Sequence, residues 1–268
     1  MPAAQSSWAP AGIDRDKPNA ARIYDFYLGG AHNFAADRAL AKQAIADWPE
    51  LPAIMRANRA FLRRAVAFMV RCGVRQFLDL GAGLPTAGSV SNTAQQLDPS
   101  CRVVCVDIDP VAVVHSRALL QDNPLVSVVQ ADLREPRAVL AAAASSGVGL
   151  DVTQPIGLLL VAVLHFVPDA DDPAGIVATY RDALAPGSLI AVTHATADAQ
   201  PREAAAHRQL YRRTATPMTM RTRAEVTALF AGLELIPPGV VDMTHWQPDP
   251  DTDQSIRLAG YGAMGLKP

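Results

Sequence analysis

Three aspartates stand where short apolar runs end. Asp79 closes Gln76-Phe77-Leu78, Asp107 closes Val103-Val104-Cys105-Val106, and Asp132 follows the run from Val126 to Gln130. After the first comes Leu80-Gly81-Ala82-Gly83-Leu84-Pro85-Thr86, a glycine bend that lets backbone approach a ligand closely. A dinucleotide's pyrophosphate at such a bend favours three glycines and no carboxylate beside it. Here the third position holds Thr86, and Asp79 would repel phosphate. A ligand carrying a sulfonium and an ammonium, and no phosphate, is instead stabilised by Asp79. S-adenosylmethionine has that chemistry. Asp107 is placed to hold a ribose diol, and Asp132 to accept from an adenine amino group. Asp109, just before Pro110, better suits a helix cap. Asp107 lies 28 residues beyond Asp79 (79 to 107), against roughly 20 in the usual unit. The excess predicts an enlarged loop from Leu84 to Ser89.

The elements that must position these acids follow from hydrophobic period. Strand-like runs cover Gln76–Leu80, Val103–Ile108, Val126–Gln130, Gly157–Leu164 and Leu189–Thr193. Helical patterns fall between them, over Ser91–Leu97, Pro110–Gln121, Arg137–Ala144 and Pro173–Leu184. Alternation of this kind implies right-handed crossovers and a parallel sheet. A capping box, Thr222-Arg-Ala-Glu225, opens a helix through Phe230. Leu233–Ile236 and Ile256–Met264 then read as two strands without a helix between them, so they pair antiparallel. The expected fold is a doubly wound α/β, seven-stranded, mostly parallel sheet with an antiparallel last strand and an N-terminal helical extension. That extension has three helices: a short one bearing Ile23, Phe26 and Tyr27 and broken at Gly29-Gly30, then Ala36–Trp48, then Leu51–Val70. The expected divisions are a disordered 1–17, a helical lid over 18–72, and a core over 73–268 with a basic insertion at about 199–221.

Composition narrows the function classes. Half of the 268 residues are hydrophobic, enough for a sizeable core, and a formal charge of −2 speaks against a uniformly basic nucleic-acid surface. Three cysteines, Cys72, Cys101 and Cys105, form no disulfide framework, and no metal site is expected from them. Met1–Asp16 lacks a secretory pattern, and the longest apolar run, Ile156–Leu164, is too short to span a bilayer. A soluble cytoplasmic protein with neither nucleic-acid nor membrane partners is expected.

The quoted motifs resemble the first three of the class I S-adenosylmethionine-dependent methyltransferases. From Pro18 onward the chain also resembles one bacterial branch of that superfamily, whose acceptor is unassigned. Its carrying segments are Pro18-Asn-Ala-Ala-Arg-Ile-Tyr-Asp-Phe-Tyr-Leu-Gly-Gly30, Asn33-Phe-Ala-Ala-Asp37, Gln76 to Pro85, Ala185-Pro-Gly187 and Thr193-His-Ala195. Where the branch carries Lys-Asp before the Asn-Phe pair, this chain has Ala31-His32. The resemblance implies a donor set of Asp79, Gly81 and Gly83 for the methionine part, Asp107 for the ribose, and Asp132 with Leu133 for the adenine, with Leu84 and Ile108 as further cofactor-binding residues.

Methyl transfer is an in-line displacement from an activated donor, so positioning and water exclusion dominate. A base is needed only where the acceptor loses a proton. His165, in Leu164-His165-Phe166, is the candidate, and His194 a weaker one; shaping the pocket is an equal reading for His165. His32, His115, His207 and His245 read as surface or loop residues. Tyr24, Tyr27 and Arg59 on the N-terminal helices and Tyr211 in the basic segment are candidate lid or substrate residues, although Arg59 reads more simply as part of a solvated helix face. Residues 202 to 223 hold six arginines against Glu203, a pattern that suits an anionic small molecule or, more simply, a solvated helix surface. The fourth strand leads into Leu-His-Phe, not the Asn-Pro-Pro-Tyr associated with planar amino acceptors. The acceptor expected is a small molecule. The alternatives are a non-catalytic S-adenosylmethionine sensor and a nicotinamide-dependent oxidoreductase, and Asp79 speaks against the second.

Overall fold

The computed structural model describes residues 14–85, 88–212, 214, 216–250, 252 and 259–268. Its elements run α1 (Ala20–Tyr27), α2 (Ala35–Asp47), α3 (Leu51–Arg71), β1 (Gln76–Leu80), α4 (Val90–Leu97), β2 (Arg102–Asp107), α5 (Pro110–Leu120), β3 (Val126–Gln130), α6 (Pro136–Ala144), β4 (Ile156–Val161), α7 (Pro173–Ala183), β5 (Leu189–Ala195), α8 (Pro201–Tyr211), α9 (Arg223–Ala228), β6 (Glu234–Leu235), β7 (Val241–Asp242) and β8 (Gly260–Leu266). The sheet has eight strands in the order β3-β2-β1-β4-β5-β8-β6, with β7 also on β8. The first five are parallel neighbours, and β8 runs antiparallel to β5, β6 and β7.

The α/β class, the parallel core and the antiparallel end match the expectation. Strand count and strand ends differ. An eighth, two-residue strand, Val241–Asp242, is too short to leave a periodic signal. The last strand is described only from Gly260; residues 256–258 lie outside the described residues, as do 1–13 of the N-terminal segment and Thr86. The segment read as a basic insertion is built around the helix α8. The fourth strand ends at Val161, three residues early, because Ala162 takes a left-handed φ of 56° and turns the chain. Its amide donates to Thr193 Oγ1 at 2.9 Å, which holds the turn. His165 therefore sits on a 3-10 turn, Leu164–Phe166, and not on the strand.

Alternation along the strands builds two apolar layers. On one face Phe77, Val103, Cys105, Leu159 and Ala191 pack with α3 residues Phe61, Ala65, Val66 and Met69. On the other, Leu78, Val104, Leu158 and Ile190 pack with α6, α7 and α9 through Val139, Val177 and Val226. The approach of α3 is close: a Cβ on Gly157 would lie 2.7 Å from the Met69 sulfur. Cys101 and Cys105 share the first layer as apolar residues, and all three cysteines are free thiols. No described helix is long and apolar enough to cross a membrane, and no described group of three His, Cys, Asp or Glu could hold a metal ion.

A buried ion pair ties the N-terminal helices together. Asp37, fully buried, accepts from Arg22 Nε at 2.8 Å, Phe34 N at 2.8 Å and Asn19 N at 2.9 Å. Arg22 also reaches within 3.6 Å of Asp109, the N-cap of α5, so this cluster joins the extension to the end of β2. The Gly29-Gly30 pair beside it is a tied turn. Asp25 accepts from His32 N and Asn33 Nδ2 there, and a Cβ on Gly30 would collide with the Asp25 carboxylate. Removing the anion strands a buried guanidinium, so Asp37→Ala is expected to lower the urea unfolding free energy by about 3–5 kcal/mol. A loss under 1 kcal/mol in the same denaturation curve would show the cluster to be dispensable.

Candidate active site

The C-terminal ends of β1, β2, β3, β4 and β5 open on one cavity of about 680 Å³, roofed by α1, α3 and α8. All three aspartates line it. Register explains why: Asp79, one residue before the end of β1, lies opposite Cys105 and Leu159, and Asp107 ends β2 opposite Gln130, the last residue of β3. Gly81, Gly83, Leu84, Ile108 and Leu133 line the same space. Gly81 has φ +69°, and a Cβ there would lie 2.4 Å from the Val163 side chain, so only glycine fits the bend.

The three carboxylates differ in what already holds them. Asp107 accepts from Gly83 N at 2.7 Å and Asp109 N at 2.8 Å, and so fixes the glycine bend to the tip of β2. Burial pushes it up to about 6, against these backbone hydrogen bonds. Asp132 is gripped through both oxygens by Arg134, which also binds Asp171, and those hydrogen bonds hold its carboxyl below the usual range. Its oxygens are therefore less free for an adenine than the sequence implied. Asp79 is unlike either. It is buried, no described residue donates a hydrogen bond to it, and burial pushes it up to about 7. The nearest opposing charge is Arg59, which draws its pKa down but makes no ion pair with it.

Arg59 lines the cavity and is not on a solvated face. Its guanidinium lies over the Tyr24 ring at 5.2 Å, and its Nε is buried without a partner among the described residues. Tyr24 lines the cavity too, and a chain of hydrogen bonds locks it to the sheet. Asn58 Nδ2 donates to Tyr24 Oη at 2.9 Å, and Thr193 Oγ1 donates to Asn58 Oδ1 at 2.6 Å. Tyr27 does not reach the cavity; it is buried against Tyr211, which does.

Beyond β4 and β5 the lining changes character. His165 is 7% exposed and His207 is 4% exposed, and both line the cavity. His207 sits on α8, and His115 is buried on α5, so neither is the surface residue expected from sequence. Phe166 stacks on Tyr211 at 5.8 Å, with His207 4.7 Å from the Tyr211 ring. In both histidines Nδ1 is buried without a partner among the described residues, so Nε2 is the nitrogen left to meet a ligand. Burial pushes His207 down to about 4 and His165 well below the usual range, with His194, His207 and Arg221 adding to the second shift. His194 is committed elsewhere: its Nδ1 pairs with Ala195 O, and its Nε2 accepts from Arg221 at 2.8 Å. Arg221 in turn is held by Asp169 and by the carbonyls of Leu164 and Val167. None of the arginines of the basic segment lines the cavity among the described residues.

Comparison with known proteins agrees with this geometry. The model of the S-adenosyl methyltransferase family matches residues 6–268. The chain belongs to that family. It is an S-adenosylmethionine-dependent methyltransferase, and the nicotinamide alternative falls. A DUF574 family protein from Streptomyces avermitilis is 39% identical, with a TM-score of 0.90 over 95% of this chain and 99% of that one. A protein from Thermobifida fusca, assigned provisionally to the methyltransferases, is 38% identical, with a TM-score of 0.89 over 98% and 99%. The pyocyanin biosynthetic protein PhzM, 18% identical with a TM-score of 0.52 over 86% of this chain and 61% of its own, shares the fold alone. No curated protein matches the chain.

The methyltransferase's Asp79 has a sharp thermodynamic consequence. Its folded pKa, about 7, exceeds the ordinary 3.8, so its stabilising contribution is complete below pH 4 and is lost as pH rises to about 7. The ligand-free Asp79→Asn variant should thus melt above the native protein at pH 8 by about 4 °C or more, with the gap closing toward pH 4. An equal or lower melting temperature at pH 8 would show that the buried charge costs nothing.

Proposed function

We propose that the protein transfers the methyl group of S-adenosylmethionine to a small-molecule acceptor bound against His165, and that it does so in the cytoplasm. The observation that carries this reading is the pair formed by Asp79 and Arg59. A buried carboxylate without a donor and a guanidinium without a carboxylate, among the described residues, face the same cavity. An amino acid's ammonium and carboxylate satisfy both at once, whereas either group alone leaves a buried charge uncompensated.

When bound, S-adenosylmethionine supplies an activated methyl on a cationic sulfur. Asp79 would hold the ammonium end and stabilise the nearby positive sulfur, and Arg59 would hold the carboxylate. Asp107, already oriented by Gly83 and Asp109, keeps free lone pairs for a ribose diol. Leu133 and Ile108 offer apolar contact to the adenine, with Asp132 and Arg134 at the edge. The segment 18–72 acts as a lid: α1 and α3 supply Tyr24 and Arg59 to the roof, and Tyr211 closes it from α8. His165 Nε2 takes a proton from an acceptor that has one to lose.

Ligands that differ only in the amino-acid part test the assignment. Arg59→Met should weaken S-adenosylhomocysteine in calorimetric titration by about tenfold or more while changing 5′-methylthioadenosine, which lacks that part, less than twofold. Equal loss for both ligands would remove Arg59 from the donor site.

A further inference from the structure

The charged side chains of the cavity are segregated. Asp79, Asp107, Asp109, Asp132 and Arg134 come from the ends of β1–β3, and Asp25 and Arg59 from α1 and α3. What α8, the 216–220 segment and the ends of β5 and β8 add is uncharged: His194, His207, Tyr211, Thr216, Met218 and Met220 among them. The histidines on that side are all held neutral by burial. Arg221, behind them, is taken up by Asp169, two carbonyls and His194 Nε2. Among the described residues, an ionised acceptor would lose its hydration there and meet no counter-charge.

The uncharged half is nonetheless not plain hydrocarbon. Phe166 and Tyr211 present parallel rings, with interplanar angle 25°, a surface suited to a flat π-system. Met55, Met218, Met220 and Met243 line the same cavity and offer soft, adaptable contact. Two neutral imidazole rings lie beside the ring pair, His165 4.3 Å from Phe166 and His207 4.7 Å from Tyr211, and both line the cavity. Both belong to side chains more than nine-tenths buried.

Resting on the donor assignment above, we infer that the acceptor is an uncharged hydroxylated aromatic molecule. Its ring lies against Phe166 and Tyr211, one hydroxyl meets His165 and a second polar group meets His207. In the transfer, the methyl–sulfur bond breaks with its electron pair staying on sulfur, and the hydroxyl oxygen forms the new bond to carbon. The hydroxyl proton passes to His165 Nε2. The site's charge is conserved: positive charge disappears from sulfur as it appears on the imidazole. A histidine held neutral beforehand fits this sequence, since an imidazolium beside the bound cation would be repelled.

A naphthalene series separates the possibilities. Protein saturated with S-adenosylhomocysteine is titrated calorimetrically at pH 7.5 with 2,6-dihydroxynaphthalene, 2-naphthol, 2-naphthoate and 2-naphthylmethylammonium. The diol is expected to bind at least about tenfold more tightly than either ion. His207→Phe, which keeps an aromatic ring, should bring the diol down to the affinity of 2-naphthol. Either ion binding as tightly as the diol overturns the inference. So does binding of S-adenosylhomocysteine with no binding of any naphthalene, an outcome that leaves the donor assignment standing. Failure of S-adenosylhomocysteine itself to bind removes the donor assignment and this inference with it.

Discussion

Burying a carboxylate without a hydrogen-bond donor costs on the order of several kcal/mol unless a cation arrives to offset it. Asp79 is in that position at the end of the sheet's central strand. Every neighbouring element bears on the arrangement. The parallel register of β1 with β2 and β4 sets the residue at the sheet's rim. The glycine bend that follows folds away from it, and Asp107 pins that bend through Gly83 N. The roof from α1, α3 and α8 removes the solvent that would otherwise hydrate the charge. Arg59 stands close enough to lower the pKa of Asp79 and too far to neutralise it.

The two halves of the cavity divide the chemistry. Around the ends of β2 and β3, Asp107 and Asp132 are oriented by backbone and side-chain partners before any ligand arrives, so little reorganisation of these two accompanies binding. Around β4, β5 and α8, burial keeps histidines and tyrosines neutral. That environment disfavours charge, so an imidazolium on His165 is offset only by the loss of positive charge from sulfur in the same step. The left-handed Ala162, held by Thr193, supports this half: it bends the chain out of β4 and places His165 over the cavity. Strain of this kind persists where surrounding contacts over-determine it.

Much of the fold was legible because parallel strands buried on both faces leave unmistakable apolar runs. Gln76–Leu80 and Val126–Gln130 have the bounds read from sequence, and α5 and α7 differ by a residue at their ends. Asp79 and Asp107 were legible as strand-end acids beside glycines. What escaped depends on tertiary contact. The segment forming α8 is polar and arginine-rich, so its buried stripe of Ala204, His207, Leu210 and Tyr211 was hidden, and with it the cavity role of His207. A single histidine there carries no local signal; the i, i+3, i+6 spacing of Ala204, His207 and Leu210 was the available clue. Arg59 was legible as a candidate, but nothing in the period of α3 tells a cavity-facing guanidinium from a solvated one. The turn at Ala162 was unreadable because alanine seldom adopts a positive φ.

The most direct test of Asp79 as a carboxylate reserved for a cation is proton release on donor binding. Calorimetric titration with S-adenosylmethionine at pH 6, in buffers of differing ionisation enthalpy, counts the protons that leave. The native protein, with Asp79 largely protonated when empty, should release about one proton per ligand bound, and Asp79→Asn should release markedly less. Equal release from the two proteins, or none from the native one, would contradict the place given to Asp79.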